Sequence, residues 1–160
     1  MSADAWTAAP SVLLKAAAQC LVNSICRFAL AQLGLDKYAI NKLAEVSLQN
    51  SESDELVIEL YPKVGNYIDV AKSRGASYFN MPADIWNIVK NTNVAWEINE
   101  QAMQMTADEG KTVILQTDFA QGMSDPSRNF FRELWFFVSQ GYDLIDDKLV
   151  PTDHTGFGFP

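Results

Sequence analysis

The stretch Thr112-Val-Ile-Leu-Gln-Thr117 decides the fold prediction. It is mostly apolar without alternation, which is typical of a strand that is buried on both faces. A helical pattern over 128–140 follows, and then two short β-type runs at 142–145 and 148–150 that are typical of a hairpin or a kinked strand. If the strands on either side of the helix are parallel neighbours, they form a right-handed crossover unit.

Helical patterns occupy most of the chain before this strand. Apolar residues recur at helical spacing over 11–35, which closes at Gly34, and over 36–48. Further signals predict a strand or helix start at 56–61 and helices over 62–74, 82–89 and 93–109. The order predicts an α/β or α+β fold, with N-terminal helices followed by a small sheet with packed helices. The polar run 49–54 predicts a helical lead over 1–54 and a compact domain over 55–160.

Composition and charge exclude several functional classes. The 160 residues are 48% hydrophobic and carry a net charge of −8, which argues against disorder and against general binding to nucleic acid or anionic membranes. Charged residues such as Lys15 and Arg27 interrupt the apolar stretch 12–35, so we expect no transmembrane segment. The sequence has no dinucleotide-binding, P-loop or zinc-protease motif, and we expect no cofactor.

The two cysteines, Cys20 and Cys26, are six residues apart within the first helical pattern. On a continuous helix their side chains diverge by about 240°. We therefore expect no intrachain disulfide, and we expect both to be small core residues in a chain that works in a reducing compartment. With a single His in the sequence, the cysteines do not make a metal-ligand set.

An anion site is predicted at the start of the 128–140 helix. Arg128 and Arg132 are one turn apart on one helical face, and the guanidinium group binds phosphate oxygens in a bidentate manner. The loop 122–127, which contains Ser127, leads into the helix N-terminus, whose free N–H groups favour an anion. The alternative is that Arg128 is solvated and that Arg132 pairs with an acid such as Asp125.

The candidate catalytic residues are Thr117, Asp118 and His154. Thr117 and Asp118 end the central strand, where ligand sites of open α/β sheets gather. Asp118 is a candidate general base, and its alternative role is to cap the next turn. His154 is the one side chain with an ordinary pKa near neutrality, but its alternative is an exposed tail residue.

Several motifs in the second half resemble those of a known class of bacterial proteins. These motifs are Ala76-Ser-Tyr-Phe-Asn80, Ile85-Trp86, Trp96-Glu-Ile-Asn-Glu100, Gly110-Lys-Thr-Val-Ile-Leu-Gln-Thr-Asp118, Ser127-Arg-Asn-Phe-Phe-Arg-Glu-Leu134 and Gly141-Tyr142. The pattern resembles the C-terminal toxin modules of bacterial polymorphic and contact-dependent growth inhibition toxins.

The resemblance implies a soluble effector that a secreted or cell-surface toxin delivers into the cytoplasm of a target bacterium. Several such modules are ribonucleases of the barnase, EndoU and colicin-type superfold, which cleave RNA, often tRNA, without a metal ion. It implies roles for Thr117, Asp118, Arg128 and Arg132, a cognate immunity protein as partner, and 10–48 as a segment for entering the target cell.

A second hypothesis belongs to another functional class. An acidic chain can be a non-enzymatic interaction protein, such as an immunity protein whose surface blocks a basic toxin. The net charge of −8 favours this hypothesis, because acidic surfaces complement basic clefts and speed association. The order of the motifs favours the toxin.

Overall fold

The computed structural model describes residues 11–59 and 67–152. Within these ranges it contains eight helices and six short strands, which confirms the predicted α/β or α+β class. In chain order the elements are α1 Ser11–Val22, α2 Ser24–Gln32, α3 Asp36–Ser47, β1 Leu48–Gln49, β2 Glu55–Ile58, α4 Tyr67–Arg74, β3 Tyr78–Phe79, α5 Ala83–Val89, α6 Asn93–Asp108, β4 Thr112–Leu115, α7 Phe119–Met123, α8 Asn129–Ser139, β5 Tyr142–Ile145 and β6 Lys148–Pro151.

The main sheet is mixed, with strand order β2-β4-β6-β5. Strands β2 and β4 are parallel, with Val57 opposite Ile114, whereas β4 and β6 are antiparallel. Strands β5 and β6 form the predicted hairpin, whose turn holds Asp146 at a φ of 57°. Because β6 lies between β4 and β5, these two parallel strands are not neighbours in the sheet. A separate two-stranded sheet pairs β1 with β3.

The described residues divide into two compact units, each made of two stretches of chain. The first comprises the described residues up to Leu48 together with Phe79–Ala102. In it α1 packs against α3 and α5, because each helix carries an apolar stripe. The buried hydrophobic side chains among the described residues of this unit are Leu14, Ala18, Leu21, Ala39, Ile40, Leu43, Ala44, Leu48, Ile85, Val89, Val94, Ile98 and Ala102.

The second unit comprises Gln49–Tyr78 and the described residues from Met103 onward. It contains the main sheet, and β4 is buried as its apolar sequence predicted. Helix α4 covers the sheet through a cluster of Val57, Ala71, Ala76 and Ile114. Helix α8 buries Phe130, Leu134 and Phe137 on one face. The predicted helix start at 62–66 lies outside the described residues.

The first helical pattern differs from the prediction of one helix over 11–35. The chain breaks at Asn23, and α1 and α2 meet at a bend of 103°. The Asn23 side chain accepts a hydrogen bond from the N–H of Cys26 at 2.9 Å, which makes Asn23 the N-cap of a new helix. The spacing of apolar residues does not reveal this break, because the apolar residues of α1 and α2 are spaced as they would be in a single helix.

The prediction that Cys20 and Cys26 do not form a disulfide is wrong. The two sulfurs are bonded, with a Cα–Cα separation of 5.1 Å. The expected divergence of the two side chains holds only for a continuous helix. The break at Asn23 instead turns Cys26 back towards Cys20. Both cysteines are half-buried rather than core residues. The inference of a reducing compartment rested on unpaired cysteines and therefore loses its basis.

Candidate functional site

A shallow depression lies at the carboxyl end of β4, with a volume of about 240 Å³. Its lining includes the predicted residues Thr117 and Asp118, and it also includes Asp146 and Asp147 from the β5–β6 turn. The N–H of Leu115 donates to the carbonyl of Asp147 at 3.1 Å, which fixes this turn beside the end of β4. Among the described residues, the lining of the depression therefore includes three carboxylates and neither Lys nor Arg.

Asp118 and Thr117 differ in exposure. Thr117 is only 2% exposed, whereas Asp118 is exposed. The Asp118 carboxylate accepts a hydrogen bond from the N–H of Gln121 at 3.2 Å through Oδ2, so Asp118 is the N-cap of α7. The capping role that the sequence left open is thus present in the structure.

The other predicted residues lie at the start of α8. Arg128 is the N-cap residue and makes no side-chain capping bond, and Arg132 is exposed one turn further on. Neither arginine is among the residues that line the depression. The predicted set is therefore divided into two groups: Thr117 and Asp118 at the depression, and Ser127 with the two arginines at the helix start.

Asp125 organises the turn before α8. Its carboxylate accepts hydrogen bonds from the Ser127 hydroxyl at 2.5 Å and from the Ser127 N–H at 3.1 Å, and Arg128 Nε lies 3.5 Å from it. The Ser127 bonds, and then the Arg128 charge, hold the pKa of the Asp125 carboxyl below its ordinary value. Asp125 thus forms an ion pair with Arg128, the arginine that the alternative interpretation of the sequence expected to be solvated.

Gly122 lies in a helix, not in the predicted loop. Helix α7 covers Phe119–Met123, and Gly122 is buried against α8. A Cβ atom added there would lie 2.4 Å from Phe130 Cε2 and 2.5 Å from Leu134 Cδ1. The residue that we expected to help form an anion-binding loop therefore allows close approach of two helices.

A buried polar cluster surrounds Lys111, the residue immediately before β4. Lys111 is 4% exposed, and its ammonium donates to the carbonyl of Ser51 and lies 3.4 Å from a Glu109 carboxylate oxygen. The Tyr142 hydroxyl donates to the carbonyl of Lys111 at 2.6 Å. Burial raises the pKa of Tyr142 to about 12, which makes it a structural donor and not a base near neutrality.

Sequence reasoning missed Asp146 and Asp147 as lining residues. They were identified only as a separator between two β-type runs. The predicted hairpin was the signal that could have identified them. Because β6 pairs antiparallel with β4, the β5–β6 turn that contains Asp146 and Asp147 lies at the carboxyl end of β4. His154, the third catalytic candidate, lies outside the described residues.

The described part of the chain has neither a cluster of metal-binding side chains nor a single membrane-spanning helix. Among residues 11–59 and 67–152, no group of three or more His, Cys, Asp or Glu side chains is arranged to bind a metal ion. In the same ranges no single helix has the length and apolar content of a membrane span; α1 and α2 reach both only when taken together across their bend.

No protein-family model, no curated protein and no solved structure matches the chain.

Proposed function

We propose that the chain is the effector domain of a bacterial toxin, a metal-independent ribonuclease that acts in the cytoplasm of a target bacterium and is neutralised by a cognate immunity protein. The observation that carries the proposal is the position of Thr117 and Asp118 at the depression where β4 ends. These two residues are also part of the motifs that resemble toxin modules.

The chemistry assigned to the site is attack of a ribose 2′-hydroxyl on the adjacent phosphorus. Asp118 takes the hydroxyl proton, because its carboxylate is exposed and only Oδ2 is engaged in the α7 cap among the described contacts. The 5′-oxygen leaves and takes a proton from water. Arg128 and Arg132, which do not line the depression, bind a neighbouring phosphate of the RNA chain at the start of α8, and Arg128 must exchange its contact with Asp125 for that phosphate.

The test is inducible expression of the full chain in the cytoplasm of a sensitive bacterium. We expect growth arrest with the native chain and normal growth with Asp118→Asn. Asparagine caps a helix about as well as aspartate but cannot accept the proton, so the variant keeps the fold. Asp143→Asn is the matched control, because Asp143 is an exposed strand carboxylate outside the depression. It should leave the arrest unchanged.

A second readout identifies the chemistry. Purified native chain should cleave RNA in the presence of a metal chelator, and Arg128→Ala/Arg132→Ala should lose cleavage while remaining folded. Normal growth during robust expression of the native chain, with no cleavage of purified RNA, would contradict the proposal.

A non-enzymatic acidic interaction protein is the second candidate function. It is favoured by the three carboxylates of the depression and by the exposed apolar residues Leu144 and Ile145 on the adjoining strand β5. Such a surface fits a basic protein partner, for example a toxin that the chain blocks. For this function, expression of the chain is harmless and protects cells that produce the basic toxin encoded beside it.

A further inference from the structure

Helix α2 lies in the first unit but is weakly packed. None of its residues is buried. Its large apolar side chains face solvent, with Ile25 82% exposed and Phe28 67% exposed. Because most helical stability in proteins comes from burying an apolar face, α2 gains little from packing and depends on specific attachments.

Within the described part of the unit, a disulfide and an ion pair join side chains of α2 to other helices. The first is the Cys20–Cys26 disulfide to α1. The second is the ion pair of Arg27 with Glu97 of α6, at 2.6 Å, whose side chains are 30% and 37% exposed. Partly exposed ion pairs contribute little to stability, so the disulfide is the stronger attachment.

The disulfide is also incompatible with an unbroken helix through Asn23. On a continuous helix the two cysteines would diverge by about 240°. The bend at Asn23 removes that divergence and brings their Cα atoms to 5.1 Å. Both cysteines are partly exposed, which is the condition for attack by an external thiolate.

We propose that the Cys20–Cys26 disulfide is a redox-sensitive attachment that holds α2 at its bend, and that a dithiol reductant releases the helix. One thiolate of the dithiol attacks a cysteine sulfur, the S–S bond breaks, and a mixed disulfide forms. The first attack releases the other cysteine as a thiolate. The second thiolate of the reductant then attacks the reductant's own sulfur in the mixed disulfide and displaces the cysteine that was attacked first. Two electrons and two protons pass to the protein, which gains two thiols, and the reductant leaves as a disulfide.

The consequence is a difference between compartments. In an oxidising environment the helix is held at its bend, and in a reducing cytoplasm it is released. Released α2 opens readily, because it has no buried residue to keep it in place. The proposal is independent of the proposed function, since it concerns residues 20–33 and no residue of the depression.

The test is amide hydrogen exchange on the full chain, oxidised and after treatment with dithiothreitol. We expect the exchange rates of the α2 amides to rise on the order of tenfold or more on reduction, because local opening becomes easier. The exchange rates in α3 and α6 should not change. The Cys20→Ser/Cys26→Ser variant should reproduce the reduced pattern without reductant.

Two further measurements keep the test decisive. Alkylation and mass measurement should find no free thiol in the oxidised chain and two after reduction. Glu97→Gln, which removes the ion pair and keeps the disulfide, should change α2 exchange less than reduction does. If the double variant does not fold, reversible reduction of the native chain gives the same comparison. Unchanged α2 exchange after reduction, or a disulfide that resists dithiothreitol until the chain unfolds, would overturn the proposal.

Discussion

Replacement of Gly122 by alanine tests the close packing of α7 on α8. The added Cβ would lie 2.4 Å from Phe130 Cε2 and 2.5 Å from Leu134 Cδ1. Carbon atoms in ordinary contact are about 3.5–4.0 Å apart, so each neighbour must move by roughly 1 Å. Phe130 is 2% exposed and Leu134 is fully buried, so a shift of either side chain disturbs its packing in the core.

Two effects of opposite sign decide the result. Overpacking a filled core costs about 1–3 kcal/mol. Alanine is better than glycine in a helix by up to about 1 kcal/mol, and the gain is smaller in a helix as short as α7. We therefore expect Gly122→Ala to lower the free energy of unfolding by about 1–2 kcal/mol, with the steric effect dominant.

The assay is urea unfolding together with hydrogen exchange of the α8 amides, which reports on this unit alone. The midpoint should fall with no change in the slope of the unfolding free energy against urea. Gln121→Ala is the control, because it changes an exposed side chain in the same helix and should alter stability by less than about 0.5 kcal/mol. In the double variant Gly122→Ala/Phe130→Leu, the smaller side chain should recover part of the loss.

A Gly122→Ala variant that is as stable as the native chain, or more stable, would contradict the predicted steric overlap between α7 and α8. Helix propensity would then outweigh the contact, and the two helices would have room between them. Full additivity of Gly122→Ala and Phe130→Leu would also contradict the predicted contact.

Two further predictions concern hydrogen-bonded groups of the second unit. Because burial raises the pKa of Tyr142 from 10.0 to about 12, its contribution to stability is complete below pH 10 and is lost as the pH rises towards about 12. In urea unfolding across this range, Tyr142→Phe should show a flatter pH dependence, and it should be about 1 kcal/mol less stable at neutral pH because the Lys111 carbonyl loses its donor. Ser127→Ala should raise the pKa of Asp125 towards its ordinary value, because it removes the shortest hydrogen bond to that carboxylate. Titration of the carboxyl carbon by NMR measures this shift, and an unchanged pKa would assign the lowering to the Ser127 N–H bond and the Arg128 charge, which the variant keeps.

Local signals in the sequence predicted many of the elements. Glycine after a helical pattern marked the ends of helices correctly, as at Gly34 and Gly75, which adopt φ values of 69° and 67° that favour glycine. The apolar run 112–117 predicted the buried strand β4. These predictions succeed because backbone conformation and apolar spacing at such positions depend on nearby residues only.

Local sequence signals did not predict which distant strands pair with one another. The insertion of β6 between β4 and β5 depends on contacts across more than thirty residues, which no local pattern encodes. The same limit applies to the candidate site. The spacing of Arg128 and Arg132 predicted that they lie one turn apart at the start of a helix. It did not show that Asp146 and Asp147, rather than these arginines, line the depression beside Asp118.

Each unit of this protein is assembled from two stretches of chain, which has a consequence for its synthesis. The apolar side chains of α1 leave the ribosome early, but their partner α5 lies in Phe79–Ala102. At a rate of ~5–20 residues per second, the first 48 residues wait several seconds before that helix emerges. During this interval the apolar face of α1 that later packs against α5 is accessible to chaperones. The order of translation therefore exposes, for a time, a surface that is buried in the folded protein.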